Sequence, residues 1–83
     1  MGSLRRQKKL EKRWNSVFDE SGDDLEFAQK WVRELYTALV THRHDREFKE
    51  DVLESAVSFW ESKMNDHQKT DVFIYLLGFL ARK

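Results

Sequence analysis

DVFIYLLGFLARK, residues 71–83, is the stretch on which the fold turns. Val72, Phe73, Ile74, Tyr75, Leu76, Leu77, Phe79 and Leu80 point in every direction around a helix, so no single apolar stripe marks the segment. Its β-branched and aromatic residues would also suit a strand from Val72 to Leu76. A strand needs a partner, however, and no other part of the chain alternates apolar and polar residues with period two. The segment is therefore predicted as a helix over residues 70–82, capped by Thr70 or, about a turn earlier, by Asn65. The fold class that follows is all-α, a small helical bundle of four helices.

Working back from that segment, the spacing predicts a helix over 46–63. Phe48, Val52, Ala56, Phe59 and Trp60 make its main face, and Leu53, Val57 and Met64 extend it round one side. A broader stripe of Leu25, Ala28, Trp31, Val32, Leu35, Tyr36, Ala38 and Leu39 predicts a helix over 24–41, wide enough to pack against two neighbours. Asp23, Asp24 and Glu26 suit the positive end of that helix, which gives the acidic run a structural role. The first helix is expected over 4–18, with Leu10, Trp14, Val17 and Phe18 on one narrow face, Gln7 completing the stripe and basic residues opposite. It is the most peripheral of the four. DESGDD, residues 19–24, reads as a turn around Gly22, and residues 41–45 and 64–67 as the other connectors.

Composition bounds what such a chain can do. Eighty-three residues make one domain, 1–83, in which Met1-Gly2-Ser3 reads as a disordered or cloning-derived leader. A chain of this size buries only about 60% of its unfolded surface, so its core is small. The absence of Cys excludes thiolate metal sites and cysteine nucleophiles, and the absence of Pro with only three Gly argues against phosphate-cradling loops. No secretory signal is visible, and the longest apolar run, residues 72–80, falls far short of the roughly 20 residues that span a bilayer. The expected compartment is the cytoplasm.

The 15 basic and 15 acidic residues balance overall but not locally. Residues 1–18 hold Arg5, Arg6, Lys8, Lys9, Lys12 and Arg13 against Glu11, a net of +5, and residues 19–26 carry a net of −5. The basic group could contact phosphates, which would make binding salt-dependent, or an acidic protein surface. An anionic membrane is a weaker candidate because the apolar face of this helix is narrow and already needed for folding.

Other chemistry is thin. His42, His44 and His67, with Asp45, Glu47 or Asp66, lack the converging spacing of a metal site, and His42 suits a helix C-terminus without metal. Glu50 with Glu54, and Asp19 with Asp23, are pairs that any polar helix surface produces, whereas acid–base work needs a sheltered cleft. Ser55, Ser58 and Ser62 recur on the third helix and read as close-packing or solvated positions. The expectation is therefore no enzymatic activity, no cofactor, no metal and no small-molecule substrate.

Trp14, Trp31 and Trp60 are expected in the core, with Trp60 also at an interface. Three companions can hardly enclose a final helix that is apolar all round. The sequence thus points to a non-catalytic protein-interaction module, self-associating or docking on a larger protein, with Trp60, Phe73, Tyr75, Leu77, Phe79 and Leu80 as its contact. The alternative is a nucleic-acid-binding accessory protein that uses the basic first helix.

Overall fold

The computed structural model describes residues 4–82; the expectation for Met1-Gly2-Ser3 lies outside them. Four α-helices follow one another, α1 Leu4–Glu20, α2 Asp24–Thr41, α3 Arg46–Lys63 and α4 Asp66–Ala81, with no strand among the described residues. The chain is a small all-α four-helix bundle, as its periodicity predicts.

Side chains with short polar groups set the helix starts. Asp23 accepts a hydrogen bond from the Glu26 amide at 2.7 Å and begins α2, and Asp45 accepts one from Phe48 at 3.0 Å and begins α3. α4 begins earlier than residue 70. Asn65 accepts from the Gln68 amide at 2.8 Å while the Gln68 side chain accepts from the Asn65 amide at 3.0 Å. This reciprocal box satisfies two amides that a helix start otherwise leaves open, so Thr70 lies inside the helix. At the other end Arg82 is the cap rather than the last helical residue. α1 runs two residues beyond 18, and just past its end the Ser21 hydroxyl donates to the Val17 carbonyl at 2.7 Å.

The helices pair out of sequence order. α2 packs along α4 and α1 along α3, while α2 also touches α1 and α3. The principal neighbour of α4 is α2. The core gathers Leu10, Trp14 and Val17 from α1, Phe27, Trp31, Val32, Leu35 and Ala38 from α2, Val52, Ala56 and Phe59 from α3, and Val72 from α4. Trp14 is completely buried, so α1 is integral to the bundle and not peripheral. The Trp14 ring lies 5.5 Å from that of Trp31, which stacks at 6.2 Å on Phe59, and the indole of Trp14 donates to the Ser55 hydroxyl at 2.8 Å.

The inward faces are rotated from the expected stripes in two places. On α2, Phe27 is buried and Leu25 and Tyr36 are exposed, because the face toward α1 and α3 centres on the Phe27–Trp31–Leu35–Ala38 row. On α3, Asp51 and Ser55 are buried and Leu53 and Val57 are half exposed. Partners on α1 satisfy those two polar side chains, which lets the polar side of α3 turn inward.

Candidate functional site

Two surfaces stand out. The first is the outer side of α4. Successive residues of a helix turn by about 100°, so Phe73, Ile74, Leu77 and Leu80 share one face. These four are 54%, 62%, 52% and 57% exposed. Val72 is buried on the opposite face, where Tyr75, Leu76 and Phe79 pack against the core and the Phe79 ring meets Tyr36 edge-on at 5.0 Å. Of the residues expected at a contact, Phe73, Leu77 and Leu80 therefore lie together on the outside, while Tyr75 and Phe79 face inward. Ile74 joins the outer row, and nothing in the sequence distinguishes it, because a helix apolar all round does not say which face turns outward.

Trp60 is half-buried at the corner between α3 and α4. Its indole N–H donates to the Lys69 carbonyl at 3.3 Å, and the Lys69 ammonium lies 5.7 Å from the ring centroid. A shallow depression of about 410 Å³ opens there between Trp60, Asp66, Lys69, Thr70 and Phe73. Trp60 thus ties α3 to the first turns of α4 and borders the outer row through Phe73.

The second surface is the basic side of α1, and its six cations divide. Arg5, Lys8, Lys9 and Lys12 are exposed. Arg6 donates to the buried Asp51 carboxylate at 2.8 Å, and its guanidinium lies 4.7 Å from the centroid of the Phe48 ring. Gln7 adds a longer contact to the Asp51 carbonyl at 3.4 Å. Arg13 pairs with Glu34 of α2. Two of the six charges therefore hold helices together, through pairings 45 and 21 residues apart that no local pattern signals. A depression of about 390 Å³ lies among Arg5, Arg6, Lys9, Leu10, Arg13 and Phe48.

The remaining polar candidates are scattered. His42 is half-buried, stacked at 3.6 Å on Phe48, whereas His44 and His67 are exposed. Among the described residues no group of three His, Asp or Glu side chains is placed to hold a metal ion. Glu50 reaches Arg46 at 3.4 Å on an exposed surface, and Asp23 and Asp45 serve as caps. Ser55 accepts from Trp14 in the core, while Ser58 and Ser62 are exposed. No helix among the described residues is long and apolar enough to cross a membrane. No family model, curated protein or solved structure matches the chain.

Proposed function

We propose that this protein is a non-catalytic interaction module that binds another protein surface, a second copy or a larger partner, through the outer row of α4. One observation carries the reading: Phe73, Ile74, Leu77 and Leu80 form a continuous exposed apolar row on a helix whose other side is already used by α2. A lone surface helix carries polar residues on its outer side, and contiguous apolar patches mark contact sites. Cysteine-free composition suits a cytoplasmic module, although it suits other compartments too. The non-catalytic side of the reading is supported by the structural work of the most enclosed acids, with Asp51 buried against Arg6 and the half-buried Glu34 paired with Arg13.

The competing reading, nucleic-acid binding by α1, has four exposed cations to draw on rather than six. Site-specific photo-cross-linking in cells separates the two. With the photoreactive residue at Leu77 the expected adducts are protein; with it at Lys12 no nucleic acid is expected. Nucleic-acid adducts at Lys12 with none of any kind at Leu77 would reverse the assignment.

A further inference from the structure

We infer that the depression between the first half of α1 and Phe48 of α3 is a phosphate site whose ligand is a phosphorylated serine or threonine of another protein, set in an acidic stretch. This surface is separate from the outer row of α4, and neither reading rests on the other.

The charge of the site sets the charge of the ligand. Arg5, Arg6, Lys9 and Arg13 are four of its six lining residues, and among the described residues no carboxylate lines it. Arg5, Lys9 and Arg13 follow one another at four-residue intervals, so they form one ridge along the helix. Asp51 and Glu34 neutralise Arg6 and Arg13 from the neighbouring helices. Two positive charges remain in surplus, and a phosphomonoester carries about −1.5 to −2 at neutral pH.

The same two ion pairs prepare the site. They tie Arg6 to α3 and Arg13 to α2, so the freedom of those long side chains is already reduced before a ligand arrives. The Glu34 bond engages Nε of Arg13. A guanidinium has two further nitrogens, which can grip phosphate oxygens as a fork.

Shape and ring contacts decide what carries the phosphate. Leu10 is buried and makes the floor, whereas Arg5 and Lys9 on the rim are exposed. Such an open rim holds the end of a molecule rather than a whole small ligand, most of whose surface a closed pocket would bury. Phe48 alone among the described lining residues is aromatic, and both faces of its ring are taken. His42 stacks on it at 3.6 Å and the Arg6 guanidinium lies at 4.7 Å, too close for the two to share a face. A nucleobase or a phosphotyrosine ring therefore finds no face to stack on. A bilayer finds no anchor either, because none of the exposed large apolar side chains lines the depression. A short phosphorylated side chain fits what is left. Lys8 and Lys12 are exposed on the adjoining side of α1 and would meet acidic residues flanking it.

NMR titration of the intact chain with the acidic peptide Asp-Asp-phosphoserine-Asp-Asp tests the site. The expected dissociation constant is on the order of 0.1–1 mM at low salt, with the largest shifts at residues 5–13 and at Phe48. The same peptide without its phosphate, and inorganic phosphate alone, should each bind at least about tenfold more weakly. Arg5→Gln with Lys9→Gln should weaken the phosphopeptide at least about tenfold. Lys8→Gln with Lys12→Gln removes as much charge just outside the depression and should weaken it no more than about threefold. All four positions are exposed, so both double variants should keep the circular dichroism of the parent chain. No shift at about 10 mM peptide, equal affinity with and without the phosphate, or equal loss in the two double variants overturns the site. Tighter binding of inorganic phosphate, of a single-stranded oligonucleotide of equal charge, or of phosphatidylserine vesicles overturns the phosphorylated protein as its ligand.

Discussion

Two tryptophans of the core are treated differently by their surroundings. The Trp14 indole N–H is satisfied by Ser55, whereas that of Trp31, equally enclosed, meets no acceptor in the structure. A buried donor stripped of its partner costs about 1–3 kcal/mol. Ser55→Ala should therefore destabilise the bundle by that amount, roughly 4–20 °C in melting temperature for a domain of this size. Trp31→Phe, which removes an unsatisfied donor, should be milder than Trp14→Phe by about 1–3 kcal/mol; chemical denaturation of the two variants checks the difference. The burial of Trp14 and Trp31 was legible from their place on apolar stripes. Their hydrogen bonding was not, since Ser55 is 41 residues from Trp14 and looks, in sequence, like Ser58 and Ser62.

At the scale of elements, capping chemistry accounts for most of the boundaries. Asn65→Ala removes the side-chain acceptor of the Gln68 amide while leaving the Asn65 amide free to donate to the Gln68 side chain, and should cost about 1 kcal/mol, read as a lower midpoint in urea. Gly78 works in the opposite sense. It sits inside α4, no glycine among the described residues has positive φ, and a Cβ at Gly78 would meet only the Arg82 guanidinium at an ordinary 4.0 Å. Gly78→Ala should raise stability by about 0.5–1 kcal/mol, visible in the same denaturation curves. Helix existence was readable because three of the four segments have a clear 3.6-residue period and the fourth lacked any sheet to join. Which way the faces turned was less readable. Leu53 and Val57 are as apolar as Val52, and only the long-range partners of Asp51 and Ser55 decide that the α3 face rotates away from them.

For the whole molecule, the consequence lies in how its charge is divided. Reversing all six basic residues of α1 tests nothing about ligands, because a carboxylate in place of Arg6 would oppose the buried Asp51 and one in place of Arg13 would oppose Glu34. Those two reversals together should cost at least about 3 kcal/mol. Reversing Arg5, Lys8, Lys9 and Lys12 should shift stability by no more than about 0.5 kcal/mol at each position. Thermal melts of the two variants distinguish them, and only the second isolates a binding role. The basic character of this helix was plain in the sequence, but its partition into bound and exposed cations depends on which side chains of α2 and α3 come within reach. The apolar excess of α4 was likewise visible, whereas the outward set, with Ile74 in and Tyr75 and Phe79 out, required knowing that α2 is its main neighbour.

The out-of-order pairing of the helices also has a history to it. As the chain is synthesised, α1 finds its main partner only when α3 has emerged, and α2 finds its own only when α4 has. Translation at about 5–20 residues per second puts roughly 1–3 s between the completion of α3 and that of the 16-residue α4. Until α4 has docked, the flank of α2 that later receives Val72 and Phe79 is open to water and to any chaperone at hand. The nascent chain thus displays a greasy surface on α2 first and, once α4 closes over it, a different one on the outside of α4. An encounter timed to synthesis and an encounter with the finished protein would meet different faces of the same 83 residues.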